Sequence, residues 1–230
     1  MKLNHPAKTL LPIATLALFC TSTQAATVSL TSVDQLDFNN VVKAYDFGPD
    51  VDSTFDIGGV TFTRHHWTNG VAHDDLTVTG LHASGGNLGS PNITLGGTAA
   101  DRTNLNALLD DTNFGSGQDG TTVALSIAVP NGTYNVQYIT GSSNNRENEL
   151  FDTNGGGSVS LGSYTGGGNF LITGTVTTTD GTLDLDIFGS AGSGDGRPII
   201  AGLIINAVPE PSTTALLGLG GLALVFRRRK

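Results

Sequence analysis

Between positions 121 and 140 the chain places an apolar side chain at every second residue. Val123, Leu125, Ile127 and Val129 share one face of residues 121–129, and Tyr134, Val136 and Tyr138 share one face of residues 133–140. A period of two belongs to a strand with one face buried and is incompatible with a helix. Pro130-Asn131-Gly132 between the runs is turn chemistry, so the two runs are expected to pair as a hairpin. The pattern returns after the Asp180-Gly181 turn at residues 182–188, where Leu183, Leu185 and Ile187 face inward and Asp184 and Asp186 outward. Residues 199–205 are apolar throughout, as in a central strand covered on both faces.

Composition supports the same reading. Glycine makes up 32 of the 230 residues, about twice its usual frequency. Thr, Ser, Asn and Asp are plentiful while Lys and Glu are scarce, which favours strands and turns over helices. Further strands are expected at residues 28–30, 41–47, 55–67 with a break at Gly58-Gly59, 76–81, 158–161 and 170–178. Residues 84–100, 141–149 and 189–197 read as loops. The one helical candidate is residues 101–111, where Leu105, Leu108 and Leu109 follow the spacing of one helix face. The fold class that follows is all-β, an antiparallel, jelly-roll-like β-sandwich with at least eight strands in two sheets.

The two ends read differently from the body. Residues 1–25 have the form of a secretory signal peptide, with Lys2 and Lys8, an apolar stretch over residues 10–19, and Thr23-Gln24-Ala25 at the cleavage position, so cleavage is expected after Ala25. The single cysteine is Cys20, and bulky Phe19 before it argues against a lipid anchor there. The body, residues 26–207, therefore has neither disulfide nor thiolate chemistry. At the other end, Pro209 and Pro211 hold Glu210 in a stiff, extended tripeptide. Residues 213–226 carry no charge and are rich in Leu, Ala and Gly, suited to a transmembrane helix. At about 1.5 Å per residue they span roughly 21 Å, short of a hydrocarbon core of about 30 Å. Arg227, Arg228, Arg229 and Lys230 then stay cytoplasmic. A plain C-terminal membrane anchor is the alternative.

This tail, residues 208–230, resembles the PEP-CTERM sorting signal of bacterial exported proteins. The resemblance rests on Pro209-Glu210-Pro211, the short apolar run and the basic end. It implies an exosortase-type partner that processes the chain near Pro209. The protein would be exported through the inner membrane and held briefly by the C-terminal helix. It would then pass to the cell surface or the extracellular polysaccharide matrix.

Charge limits the partners of the body. Between Ala26 and Pro211 five basic residues (Lys43, Arg64, Arg102, Arg146 and Arg197) face all 20 acids, a balance of −15. Such a surface repels nucleic acid and anionic lipid and tolerates divalent cations or neutral glycans. Val129-Pro130-Asn131-Gly132-Thr133-Tyr134, Thr179-Asp180-Gly181-Thr182-Leu183 and Ala201-Gly202-Leu203-Ile204-Ile205 resemble galactose-binding-like and malectin-like jelly rolls, as does Tyr45-Asp46-Phe47-Gly48. That resemblance implies glycan binding. Candidate contacts are Trp67, the only tryptophan, with Tyr138, Asn144, Arg146 and Tyr164; core packing of Tyr138 and a solvated tip at residues 144–146 are the alternatives. Asp50, Asp52, Asp56 and Asp195 are candidate ligands of a structural calcium, which prefers six to eight oxygens. His65, His66 and His73 are the nearest approach to a zinc set, but adjacent strand residues point to opposite faces. Residues 115–120 fit G-x-G-x-x-G, yet a strand rather than a helix follows, so they read as a loop. Neither G-x-S-x-G nor H-E-x-x-H occurs. The expected function is a non-catalytic, surface-sorted protein that acts in the extracellular polysaccharide matrix by glycan binding. The alternatives are a carbohydrate-active hydrolase or lyase using Asp and Glu, and a purely structural matrix protein.

Overall fold

The computed structural model describes residues 25–48, 53–64, 72–73, 75–81, 92–110, 112–115, 120–190 and 196–209. Thirteen strands are found among the described residues. The first six are β1 (Ala26–Ser29), β2 (Val41–Asp46), β3 (Ser53–Ile57), β4 (Val60–Arg64), β5 (Ala72–His73) and β6 (Leu76–Thr79). The helix α1 (Ala99–Asp110) follows, then β7 (Asn113–Phe114), β8 (Thr122–Ala128) and two very long strands, β9 (Gly132–Asp152) and β10 (Val159–Thr178). The chain closes with β11 (Thr182–Gly189), β12 (Ile199–Ile200) and β13 (Gly202–Ala207).

One path of hydrogen bonds runs β3-β4-β2-β13-β9-β11-β8-β6-β5, with β10 beside β9 and β1 beside β10. It becomes a sandwich because β9 and β10 each serve in both layers. The first half of β9 pairs with β13, from Tyr134 opposite Ala207 to Ile139 opposite Gly202. Its second half pairs with β11, from Asn148 opposite Gly189 to Asp152 opposite Leu185. β10 follows β9 along both halves.

Between the layers, Val136, Tyr138, Ile172, Leu203 and Ile205 meet Leu76, Val78, Val123, Leu125, Ile127, Leu150, Leu183, Leu185 and Ile187 in one buried cluster. A second cluster lies on the outer face of the first layer. There Ile57, Phe62, Ile139, Leu171 and Ile204 are covered by Leu105, Leu108 and Leu109 of α1 and by Leu30, Val33 and Leu36. This explains the unbroken apolar run at residues 199–205. Leu203 and Ile205 face the partner layer, and Ile204 faces the helix. Complete burial of each such side chain contributes about 1.5–3 kcal/mol.

The helix starts two residues before its expected position because of its cap. Asp101 N donates to Thr98 Oγ1 at 3.1 Å and Thr98 N donates to Asp101 Oδ2 at 2.7 Å, a reciprocal capping box. Asp101 Oδ1 also accepts from Gly58 N at 2.8 Å, tying the helix to the β3–β4 turn. Gly58 and Gly59 take φ of 59° and 77°, so the expected break is a two-residue hairpin turn of the kind glycine favours.

Three expectations are corrected. The hairpin between residues 121–129 and 133–140 does not form: β8 pairs with β6 and β11, and β9 pairs with β13, β10 and β11. Pro130-Asn131-Gly132 instead carries the chain from one layer to the other, held by Tyr134 Oη donating to Pro130 O at 2.5 Å. Two half-apolar strands bury their faces equally well opposite each other as side by side. Residues 141–149 are not a loop but the middle of β9, and residues 158–161 and 170–178 are parts of one strand, β10. Finally, β2 and β4 run parallel at Tyr45–Thr63 and Asp46–Arg64, within an otherwise antiparallel arrangement.

Candidate functional site

Buried polar side chains gather at one end of the sandwich. The C-terminal ends of β2, β4, β6 and β11, the start of β8, and the middle of β9 and β10 meet there. Asn148 is its hub. Its Oδ1 accepts from Ile199 N at 3.0 Å and from Tyr164 Oη at 2.8 Å. Its Nδ2 donates to Glu147 O at 2.9 Å and Arg197 O at 3.1 Å. Tyr138 Oη donates to Ile199 O, and Thr140 Oγ1 donates to the same carbonyl at 3.0 Å. Tyr164 stacks on Phe170 with centroids 4.4 Å apart.

Three of the five cations of the body stand at this end. Arg146 is 1% exposed and its Nε donates to Ser142 Oγ at 3.3 Å. Arg64 pairs with the fully buried Asp46 and lies 5.7 Å from the Phe55 ring centroid. The Arg197 guanidinium sits 5.2 Å from the Phe114 centroid. Burial pushes the Tyr164 hydroxyl up to about 12, opposed by Thr140 and by the Arg146 charge. Burial also holds the Tyr138 hydroxyl well above its ordinary range, with a smaller contribution from Tyr164. Both phenols stay neutral donors at any physiological pH. The arrangement anchors the strand ends by directional bonds.

The expected glycan contacts are distributed unevenly. Tyr138, Tyr164 and Arg146 come together in the interior, where neither ring offers a face to solvent. Asn144 is exposed, on the irregularity where Arg146 pairs with Gly166 and Ser142 with Gly168. Trp67, His65 and His66 lie outside the described residues, as do Asp50, Asp52 and Asp195. Asp56 is exposed and accepts from Thr61 Oγ1 at 2.6 Å. Among the described residues no group of three His, Cys, Asp or Glu side chains could share a metal ion. Ala25 is exposed immediately before β1, and Pro209 is exposed two residues beyond β13, while Glu210, Pro211, Arg227, Arg228 and Arg229 lie outside the described residues. Among the described residues no helix is long and apolar enough to cross a membrane; the expected helix, residues 213–226, falls outside them.

Two of the concave surfaces among the described residues are lined mainly by uncharged polar side chains and carboxylates. On the outer face of the second layer, Asp184 and Asp186 line a depression of about 240 Å³ with Thr77, Thr79, Ser126 and Thr153. Burial and then the Asp184 charge raise the Asp186 carboxyl above its ordinary range. On the outer face of the first layer, a groove of about 180 Å³ is lined by Gln35, Asp37, Asn135, Gln137, Thr173 and Asn206. Sequence reasoning did not find this groove. Its signal was the carboxamides of Gln137 and Asn206 within otherwise apolar strands.

Several solved structures show partial similarity to this chain at low identity. Beta-glucuronidase 2 of Bacteroides uniformis is 13% identical with a TM-score of 0.44, covering 73% of this chain and 18% of its own. The plant receptor-like kinase FER is 11% identical with a TM-score of 0.46, covering 74% and 43%. The carbohydrate-binding module TmCBM61, solved with beta-1,4-galactotriose, is 15% identical with a TM-score of 0.25, covering 43% and 68%. The chain thus spans less than half the length of the first two. No curated protein matches it. Residues 207–230 match the PEP-CTERM protein-sorting motif, so the body just described runs directly, from the last residue of its last strand, into a signal that implies export and membrane sorting.

Proposed function

We propose that this protein acts at the cell surface or in the extracellular polysaccharide matrix as a non-catalytic, glycan-binding β-sandwich, released from the membrane by an exosortase-type enzyme. The observation that carries the reading is the direct junction of the sandwich to the sorting motif at residues 207–230. The chain enters the motif from β13, with Val208 N still bonded to Thr133 O at 2.9 Å. A body carrying −15 between Ala26 and Pro211 suits a neutral or cation-bridged polysaccharide better than a free polyanion. The test is to express the full chain with its natural exporting machinery and assay the released protein on immobilised matrix polysaccharides. Release with loss of the basic end, and retention on a neutral polysaccharide, are expected. Extracellular protein that still ends in Arg227–Lys230 sinks the processing; absence of retention on every polysaccharide leaves the purely structural role.

One observation favours a second reading, a hydrolase or lyase. Asp186 holds its proton more tightly than an ordinary carboxyl beside ionisable Asp184, and acid–base pairs in glycoside cleavage are built on such differences. Formation of reducing ends from a polysaccharide, abolished by Asp186→Asn, establishes it.

A further inference from the structure

The 180 Å³ groove on the outer face of the first layer is built differently from the rest of that face. Its back wall is rigid. Gln137 Nε2 donates to Asp37 O at 2.6 Å and Asn206 Oδ1 at 2.8 Å, and its Oε1 accepts from Asp37 N at 2.8 Å. Asn206 Nδ2 donates to Asp37 O at 2.9 Å and Asn39 O at 2.7 Å. These two buried carboxamides spend their hydrogen bonds fixing residues 37–39, so they hold the rim and have little left for a ligand.

The rim side chains keep capacity. Asp37 Oδ1 accepts from Asn39 N at 2.9 Å and Asn39 Nδ2 at 2.7 Å; among the described residues its Oδ2 has no partner. Asn135 Oδ1 accepts from Thr175 Oγ1 at 3.0 Å, which turns Nδ2 into the group left to donate. Thr173 Oγ1 makes only a 3.5 Å bond to Ala26 O. The groove therefore offers one strong acceptor, one amide donor and one hydroxyl, and among the described residues no cation lines it. An anion would meet the Asp37 charge unpaired. A metal ion would find a single carboxylate. A pair of neighbouring hydroxyls, each able to donate and accept, matches the set. The volume is below the ~300–1,000 Å³ of sites that enclose a drug-sized ligand, which limits it to one ring.

We propose that this groove is a subsite for a single neutral sugar residue, with Asp37 accepting from one hydroxyl and Asn135 donating to its neighbour. The proposal rests on the glycan-binding reading and gives it a location away from the loop end. The rigid back wall lowers the ordering cost of binding, because the rim is already fixed by Gln137 and Asn206.

The test uses the full-length chain in a detergent without a sugar headgroup, titrated with methyl glycosides of neutral hexoses and with a methyl hexuronide. At least one neutral glycoside should bind, and the hexuronide at least tenfold more weakly. Asn135→Asp keeps the Thr175 contact and replaces the donor by an acceptor; it should weaken the neutral sugar about tenfold. Asp37→Asn should narrow the gap between neutral and charged sugars. If Asn135→Asp lowers the melting temperature, Thr173→Val supplies the same reading and should weaken binding at unchanged stability. Binding of neutral sugar or polysaccharide that is indifferent to all three substitutions overturns the subsite and leaves the glycan reading standing. Failure of every sugar and polysaccharide to bind overturns both.

Discussion

The two halves of the β9–β10 ribbon are held by different physics. In residues 132–140 and 170–178 the side chains between the layers are Tyr134, Val136, Tyr138, Ile172 and Val176, whose burial is non-directional apart from the Tyr134 and Tyr138 hydroxyls, which donate to Pro130 O and Ile199 O. In residues 141–152 and 159–168 the buried positions include Ser142, Arg146 and Asn148, each tied to a named partner. Apolar packing tolerates an exchange of shape if volume is kept. A hydrogen-bonded interior tolerates none, since every lost partner strands a buried group.

Substitutions that keep size but change chemistry test the contrast most severely. Asn148→Leu removes the side-chain acceptor of Ile199 N and one partner each of Tyr164 Oη and Arg197 O. It should cost about 3–5 kcal/mol in denaturant unfolding, with each orphaned group near 1–3 kcal/mol. A cost below about 1 kcal/mol would erase the distinction. In the apolar half, Ile172→Ala should cost about 2–5 kcal/mol through its cavity, yet Ile172→Leu, which keeps the volume, should stay below about 1.5 kcal/mol if the neighbours repack.

Glycines sharpen the contrast at a smaller scale. Gly168 has φ of 127° with room for a Cβ, the nearest atom being 3.9 Å away on Phe170. Gly168→Ala should therefore cost about 1–3 kcal/mol by backbone strain alone. Gly174 lies in the other half, and an added Cβ would come within 2.9 Å of Leu161. Its replacement fails by overpacking, so Leu161→Ala should partly rescue Gly174→Ala and do nothing for Gly168→Ala.

The smallest effect is pH-dependent. The folded state raises the Asp186 carboxyl through burial and then through Asp184. Its contribution to stability is complete at low pH and is lost as pH rises through that raised value. Asp101 and Asp180 have the opposite sign: hydrogen bonds from Thr98 and Thr178 lower them, and their contribution is lost as pH falls through the lowered values. Melting curves of Asp186→Asn against the parent should converge in acid and separate above the ordinary carboxylate range, with the variant more stable. A separation that grows in acid would reverse the assignment.

The same contrast accounts for what could be read from sequence. Alternation placed Val123, Leu125, Ile127, Leu183, Leu185 and Ile187 in the interior, and the unbroken apolar run at residues 199–205 placed Leu203 there; all seven are buried. It located α1 because Leu105, Leu108 and Leu109 repeat at helical spacing. Residues 141–149 were illegible because hydrophobicity was the signal read, and buried Ser142, Arg146 and Asn148 carry none. Pairing was equally hidden. A turn at Pro130-Asn131-Gly132 is local, but whether the next strand lies beside the last or across the core is decided by the strands that fill the neighbouring places, β13 and β11. Of the candidate contacts, Tyr138 and Tyr164 were sensible as aromatics at strand ends. The Tyr138 hydroxyl meets Ile199 O, 61 residues away in sequence, and the Tyr164 hydroxyl meets Asn148 on the other arm of the ribbon, partners no local pattern reports.

The position of β13 has a mechanical consequence. It lies between β2 and β9, antiparallel to both, and leads into the sorting tail. At most about 20 Å of extended chain separates Ala207 from residue 213. A load on the tail, directed along β13, shears two ladders at once, so many bonds must yield together. The other end of the body is β1, an exposed strand paired, among the described residues, with β10 alone, which the same load would peel one bond at a time. The sandwich is thus strongest at the terminus that carries its tether.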